Sequence, residues 1–210
     1  MFRIGPFRTL RPIFEFRIFE TPMRIISGTS KGRRLVPVHG RGIRPTSDRV
    51  KESIFNILGG DLEGKVVLDL FAGTGNLGIE ALSRGAQKAV FVERRRQALD
   101  LIERNLTQCG MGDRSEILPK DALRAIGILN QRGEVFDLIL MDPPYERGLV
   151  KRIFEKVKGQ KIHHENSVLV VEHDRREPLP QKIEGWDLVR QRQIGDTVIS
   201  FLTPANEITE

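Results

Sequence analysis

V-V-L-D-L-F-A-G-T-G, residues 66–75, is an apolar run that ends in an acid and a glycine-rich segment. A short apolar run bounded in this way predicts a buried strand. A second run of the same kind, I-L-M-D-P-P-Y, occupies residues 139–145. Two such strands in one open α/β sheet bring their carboxyl ends to the same crevice, where ligands bind. The two strand tips are therefore the first candidates for a functional site.

Strands and helices alternate from Lys65 onward, and this alternation predicts a parallel sheet with helices on both faces. Two strand-like runs near the end of the chain, 186–194 and 197–203, are joined by Gly195-Asp196 and predict a hairpin. The fold class is therefore α/β, with a doubly wound, Rossmann-like sheet. The five alternating strands are expected at 65–70, 88–93, 115–118, 136–141 and 167–172, and the helices at 76–84, 94–109, 121–130 and 146–158.

The first 60 residues divide into an extension and an N-terminal segment. In residues 1–22 phenylalanines alternate with arginines, and we expect either a loosely held extension or a translation start at Met23. Short strand-like runs flank the glycine-rich turn Gly28–Gly32, and Thr46 or Ser47 is placed to cap a helix that ends at Gly59-Gly60. The expected division of the chain is thus 1–22, 23–60 and a catalytic domain over 61–210.

Positive charge is concentrated at the N-terminal end of the chain. Residues 1–60 contain 12 Lys and Arg against 4 Asp and Glu, whereas residues 61–210 contain 22 against 24. A basic segment beside a nearly neutral domain is typical of a polyanion-binding surface, although it could also serve solubility alone. The candidate nucleic-acid-binding residues are Lys31, Arg33, Arg34, Arg41 and Arg44.

The composition argues against several classes of protein. With Cys109 as the single cysteine and only four histidines, the chain has no intrachain disulfide and is a poor candidate for a structural zinc site. No run approaches the roughly 20 apolar residues of a membrane span. We therefore expect a cytoplasmic protein that binds neither a metal nor a membrane.

The glycine-rich segment after the first strand predicts a nucleoside cofactor. Residues 73–78, G-T-G-N-L-G, match the pattern G-x-G-x-x-G, which on its own suits a dinucleotide pyrophosphate at a helix N-terminus. Asp69 just before it would repel a pyrophosphate but attract a cation. S-adenosylmethionine carries a sulfonium and an ammonium and has no phosphate, so it fits better than NAD. The candidate binding residues here are Asp69, Phe71, Ala72, Gly73, Thr74 and Gly75.

Two later positions supply further candidates for the same cofactor. Glu93 ends the second strand, where a carboxylate can accept both ribose hydroxyls, in an NAD enzyme as in a methyltransferase. Asp121 and Ala122 follow the third strand, where a side chain could bond the adenine amine. Asp121 is equally suited to cap the helix that follows, and one residue could do both.

The segment D-P-P-Y, residues 142–145, predicts a site for a planar group that carries an amine. Pro143 and Pro144 stiffen the turn, while Asp142 and the carbonyls beside it can accept the two amine hydrogens. Tyr145 would stack on the ring. These four residues are the candidate catalytic residues, acting by positioning, with no covalent intermediate and no metal.

These motifs resemble those of class I amino-methyltransferases that use S-adenosylmethionine. Together with residues 23–28 (M-R-I-I-S-G), 31–35 (K-G-R-R-L) and 44–52 (R-P-T-S-D-R-V-K-E), they resemble the RsmD family of bacterial 16S rRNA guanine-N2 methyltransferases over residues 23–203. The resemblance implies a seven-stranded sheet whose last strand is antiparallel, an N-terminal β-hairpin that contacts RNA, and a helix that begins near Thr46 beside the methionine end of the cofactor. It also implies 16S rRNA as partner, and we expect the substrate to be a small-subunit assembly particle.

Other functions compete with this interpretation. D-P-P-Y also occurs in adenine-N6 methyltransferases, so a DNA or RNA adenine methyltransferase is the main alternative within the enzyme class. A non-catalytic RNA-binding protein on the same fold would have degraded acids and a degraded D-P-P-Y, and here both are intact. An NAD-dependent oxidoreductase would leave D-P-P-Y without a role.

Overall fold

The computed structural model describes residues 23–37, 47–144 and 148–205. The predictions made for the extension 1–22, for Thr46, for Arg41 and Arg44 and for Tyr145 lie outside these residues. Among the described residues, no helix has the length and the apolar composition needed to cross a membrane.

A seven-stranded sheet in the order β3-β2-β1-β4-β5-β7-β6 organises the described chain. Strands β1 to β5 are parallel, and β7 runs antiparallel to both of its neighbours. The predicted α/β class and the antiparallel last strand are therefore confirmed. The strands are β1 (Val66–Asp69), β2 (Lys88–Val92), β3 (Ser115–Leu118), β4 (Phe136–Met141), β5 (His163–Asp174), β6 (Trp186–Ile194) and β7 (Thr197–Pro204).

Helices cover both faces of the sheet, and two begin at the side-chain caps that the sequence predicts. Ser47 caps the first helix by accepting the Val50 N–H, and Asp121 caps the fourth by accepting the Arg124 N–H. Both caps satisfy N–H groups that lack a partner within the helix. The helices are α1 (Asp48–Ile57), α2 (Asn76–Ser83), α3 (Arg96–Cys109), α4 (Ala122–Gln131) and α5 (Leu149–Val157).

The sheet separates two hydrophobic cores. Alternate residues of each strand point to opposite faces, so Val67 and Leu68 enter different cores. One core contains residues of the N-terminal segment, α1, α2 and α3, and the other contains residues of α4 and α5. The N-terminal segment thus shares a core with the sheet, because Met23, Ile25 and Leu35 are buried in it.

The N-terminal hairpin has less β structure than the sequence predicts. Its two arms form a single antiparallel bridge, between Arg24 and Arg34. Three backbone hydrogen bonds also connect the arms: the Ile25 N–H donates to the Arg33 carbonyl (2.9 Å), the Gly32 N–H to the Ile25 carbonyl (2.8 Å) and the Leu35 N–H to the Met23 carbonyl (2.8 Å). The turn also bonds to α2, since the Thr29 N–H donates to the Ser83 carbonyl at 2.7 Å. The segment is therefore held both by pairing between its arms and by hydrogen bonds to a helix.

Candidate active site

The carboxyl ends of the parallel strands open into one cleft of about 970 Å³. It contains residues from the segments that follow β1, β2, β3 and β4, together with the last part of β5. Of the described candidates for cofactor binding and catalysis, only Gly75 does not line it. Those that do are Asp69, Phe71, Ala72, Gly73, Thr74, Glu93, Asp121, Ala122, Asp142, Pro143 and Pro144.

The glycines after β1 allow the chain to turn sharply into α2. Gly73 and Gly75 have φ values of +56° and +80°, in the left-handed region that favours glycine. Gly78 serves close packing, because a Cβ there would stand 2.3 Å from the Phe91 ring of β2. This places the start of α2 against the sheet and leaves the loop backbone open to the cleft.

Asp69 is a buried carboxylate at the tip of β1. It accepts a hydrogen bond from the Gly78 N–H at 3.0 Å. Burial raises the pKa of Asp69 to about 7, and the charges of Asp142 and Glu93 act in the same direction against that hydrogen bond. A cation bound nearby would relieve this repulsion, so the site favours a positively charged ligand.

Glu93, at the end of β2, is held by several donors. Its carboxylate accepts the Gly73 N–H at 3.1 Å and pairs with the Arg95 guanidinium at 3.0 Å. Burial alone would raise the pKa of Glu93, but hydrogen bonds and charge from Arg95 outweigh burial and hold it below its ordinary value. The Arg95 side chain is 46% exposed, whereas the Glu93 side chain is 6% exposed, so this ion pair lies at the edge of the cleft.

Asp121 caps α4 and faces the cleft at the same time. One oxygen accepts the Arg124 N–H at 3.1 Å, and the other lies 3.4 Å from the Arg124 guanidinium. Asp121 and Ala122 both line the cleft. The two roles considered for Asp121 are therefore compatible in this geometry.

The Asp-Pro-Pro corner follows β4, which lies beside β1 in the sheet. Asp69 pairs with Leu140, so Asp142 lies two residues beyond that pair in the direction of the cleft. Asp142 is half-buried, Pro143 is buried and Pro144 is exposed. The two strand tips singled out in the sequence therefore face the same cleft.

The acidic and the basic side chains of the cleft differ in burial. Its acids are buried or half-buried, whereas its cations are all exposed and lie at its mouth. An acidic floor suits a cationic ligand, and a basic mouth suits a polyanion. The acids are Asp69, Glu93, Asp121, Asp142 and Glu172; the cations are Arg94, Arg95, Lys120, Arg124 and Arg152.

Glu172 is a cleft residue that sequence reasoning missed, although its signal was present. It ends an apolar run of β5 in the same way that Asp69, Glu93 and Asp142 follow the apolar runs of β1, β2 and β4. The same rule applied to every parallel strand would have selected it.

Lys51 is a second missed residue; it belongs to the motif R-P-T-S-D-R-V-K-E, but no local pattern indicates that its side chain is buried. Its side chain is fully buried, and its ammonium lies 3.3 Å from Glu80, donates to Asn76 at 2.8 Å and donates to the Arg24 carbonyl. Burial lowers the pKa of Lys51, while Glu80 opposes that effect. Lys51 thus connects α1, the N-terminal segment and the first residue of α2, which lines the cleft.

The structure does not bring the described nucleic-acid candidates to the cleft. Lys31, Arg33 and Arg34 are exposed, and the turn that contains Lys31 is bonded to Ser83 at the far end of α2, which is about 12 Å long. Arg34 lies nearer to the glycine-rich loop, because it bridges to Arg24, the residue after Met23, whose sulfur accepts the Thr74 hydroxyl at 3.7 Å. The Arg33 guanidinium donates to the Gln108 carbonyl near the end of α3. Any RNA that contacts both Lys31 and the cleft must therefore span the length of α2.

Within the described ranges, no group of three or more His, Cys, Asp or Glu side chains is arranged to hold a metal ion.

Comparison with known proteins reveals extensive similarity. A family model described as conserved hypothetical protein 95 matches residues 23–203. The Bacillus subtilis protein YlbH, which bears the name of an rRNA methyltransferase, is 39% identical over 179 residues, covering 85% of this chain and 97% of YlbH. Ribosomal RNA small subunit methyltransferase D of Haemophilus influenzae is 33% identical over 181 residues, covering 85% of this chain and 91% of that protein.

A solved structure shows the same relationship. The structure of Escherichia coli yhhF, named as a methyltransferase, matches with a TM-score of 0.77 at 30% identity, covering 87% of this chain and 98% of that one. The similarity therefore extends over most of this chain and nearly the whole of each of these proteins.

Proposed function

The chain belongs to the family described as conserved hypothetical protein 95, the RsmD family, and we propose that it methylates the N2 amine of a guanine in 16S rRNA with S-adenosylmethionine as donor. The observation that carries this proposal is the single cleft shared by the acidic tip of β1 and the Asp-Pro-Pro corner of β4. One tip suits a cationic donor and the other an aromatic amine.

The residues of the acidic floor fit S-adenosylmethionine. When bound, this cofactor supplies an electrophilic methyl group on a positively charged sulfur. Asp69 would attract the cationic methionine end, and the backbone of Phe71–Thr74 would lie against the nucleoside, with Gly75 completing the turn. Glu93 would accept the ribose hydroxyls, and Asp121 and Ala122 would border the adenine.

The Asp-Pro-Pro corner would prepare the amine for attack. The lone pair of an exocyclic amine is delocalised into the ring, so the nitrogen is a weak nucleophile until it pyramidalises. The Asp142 carboxylate and the carbonyls of the corner would accept its N–H groups and favour that geometry. Pro143 and Pro144 would hold these acceptors still, and Tyr145 would stack on the base.

The RNA partner is part of the same proposal. The exposed cations at the mouth of the cleft are placed to contact RNA phosphates, and those of the N-terminal segment extend the basic surface along α2. We take the substrate to be rRNA within a small-subunit assembly particle, which implies a cytoplasmic location. Ribosomal proteins would then complete the docking surface.

Nucleoside analysis tests the proposal directly. The protein is incubated with methyl-labelled S-adenosylmethionine and either naked 16S rRNA or small-subunit particles, and the RNA is digested to nucleosides. Labelled N2-methylguanosine is expected, in greater amount from the particles. Labelled N6-methyladenosine would instead support the adenine-N6 alternative, and no labelled nucleoside would refute methyl transfer to this RNA.

A further inference from the structure

Glu172 lies beside the Asp-Pro-Pro corner, near the end of the neighbouring strand β5. Strands β4 and β5 pair in parallel, and Met141 is opposite Val171. Asp142 directly follows Met141, and Glu172 directly follows Val171. Since neighbouring strands are about 5 Å apart, their backbones stand within the width of a nucleobase.

The two acids also share a face of the sheet. Leu140 and Val170 belong to one hydrophobic core, while Met141 and Val171 belong to the other. The two-residue period of a strand therefore assigns Asp142 and Glu172 to the face of Leu140 and Val170. Both acids are half-buried, and both line the cleft. The Oε2 atom of Glu172 is buried, so binding a base through both oxygens requires its carboxylate to rotate toward the cleft.

Guanine and adenine present opposite patterns to a carboxylate at this position. Next to its amine, guanine carries an N1–H donor, whereas adenine carries a bare N1 acceptor beside its N6 amine. An ionised carboxylate only accepts, and its two oxygens can take two parallel N–H bonds. It would therefore bind the guanine edge and repel the adenine edge.

We propose that Glu172 selects guanine by accepting the N1–H and one hydrogen of the N2 amine. The Asp142 corner then accepts the other amine hydrogen. This inference rests on the proposed function. It adds a means of choosing the base, because the Asp142 corner alone can hold the amine of either guanine or adenine. Glu172 is thus a specificity-determining residue that contacts the target base.

The test compares two bases at the modified position once nucleoside analysis has located it. One rRNA carries guanine there, and the other carries 2,6-diaminopurine, which keeps the N2 amine but has no N1–H. The wild-type protein should favour guanine by about 100-fold or more in kcat/KM, since a site built for a hydrogen bond discriminates strongly against its loss. In Glu172→Gln the amide can donate to the bare N1, so this preference should fall at least about tenfold.

Glu165→Gln is the matched control, since Glu165 is an exposed acid near the start of the same strand. It should keep both the wild-type base preference and the wild-type S-adenosylmethionine affinity. An rRNA with inosine at the modified position, which keeps N1–H but lacks the amine, should still inhibit the wild-type protein, although more weakly than guanine RNA binds, because the two hydrogen bonds of the amine are lost.

Three results would overturn the inference: an unchanged base preference in Glu172→Gln, equal use of guanine and 2,6-diaminopurine by the wild type, or no inhibition by inosine RNA. The last two need no variant, so a poorly folded Glu172→Gln does not remove the test. Failure of the proposed function would show separately, as the absence of N2-methylguanosine from the wild-type reaction.

Discussion

At the scale of single residues, Asp69 is a buried acid whose negative charge is unfavourable until a cation binds beside it. It is 2% exposed and interacts with the charges of Glu93 and Asp142. Because its pKa is raised to about 7, the ligand-free protein holds a proton there at mildly acidic pH. Binding a cation requires that proton to leave.

S-adenosylmethionine affinity should therefore depend on pH. As pH falls below about 7, Asp69 becomes protonated and the dissociation constant should rise by up to about tenfold per pH unit. Asp69→Asn keeps an oxygen for the Gly78 N–H but carries no charge, so it should bind weakly at every pH. Calorimetry across this range checks both; a wild-type affinity that is flat with pH would contradict the role of Asp69.

The same substitution should stabilise the ligand-free protein. The folded state holds the Asp69 proton more tightly than the unfolded chain, so the free energy of unfolding falls as pH rises from about 4 to about 7. The shift of about three pKa units corresponds to about 4 kcal/mol at most. Asp69→Asn should thus have a higher melting temperature than the wild type at neutral pH and a similar one near pH 4. A lower melting temperature at neutral pH would contradict this.

At the scale of elements, the N-terminal segment is attached to α2 at several points. The Ile26 and Ser27 N–H groups donate to the Glu80 carboxylate at 2.8 and 3.0 Å, and Thr29 bonds to the Ser83 carbonyl. Gly28 allows this approach, because a Cβ there would stand 1.8 Å from the Ser83 oxygen. The segment therefore depends on a glycine at this position for contact as well as for conformation.

Gly28→Ala and Gly32→Ala form a matched pair of variants that separates the effect of close contact from the effect of a positive φ. Both glycines have φ near +81°, but nothing lies within 4 Å of a Cβ at Gly32. Gly32→Ala should cost about 1 kcal/mol from backbone strain alone, and Gly28→Ala about 3 kcal/mol or more, since Ser83 backbone must also move. Thermal unfolding measures the difference, and equal losses would contradict the contact.

The comparison of sequence and structure shows which elements could be predicted. The runs before Asp69 and Asp142 are apolar and end in chain-turning residues, so local sequence suffices for them. The N-terminal arms could not be predicted in full, because Glu80 of α2, which is distant in sequence, accepts the Ile26 and Ser27 N–H groups. Lys51 could not be predicted as buried, since a lysine in an amphipathic helix normally faces solvent and only Glu80 and Asn76 explain its position.

At the scale of the whole molecule, the sequence shows that positive charge is concentrated in the N-terminal segment, but it does not show where that charge lies relative to the cleft. Lys31, Arg33 and Arg34 belong to the basic N-terminal segment, yet none of them lines the cleft, and the turn that contains Lys31 lies at the far end of α2. The cations at the cleft mouth come from the nearly neutral part of the chain. Their clustering depends on strand order, which no local pattern reveals.

Neutralising Lys31, Arg33 and Arg34 together with glutamine should weaken RNA binding and reduce its salt dependence. Each lost phosphate contact should make the slope of log affinity against log salt shallower by about 0.7 to 0.9. Titrations of labelled rRNA at several salt concentrations measure the slope, and unfolding curves check that loss of the Arg33–Gln108 bond has not loosened the fold. An unaltered slope would place the RNA surface elsewhere.

We propose that the methyl donor and the target amine meet between the tips of β1 and β4, with Asp69 beside the donor and Asp142 beside the amine. Measuring cofactor affinity and labelled-methyl transfer to rRNA in Asp69→Asn and Asp142→Ala tests it most directly. Asp69→Asn should lose affinity, whereas Asp142→Ala should bind S-adenosylmethionine much as the wild type does and yet transfer no methyl group. Normal turnover by Asp142→Ala, or unimpaired binding by Asp69→Asn, would contradict the account.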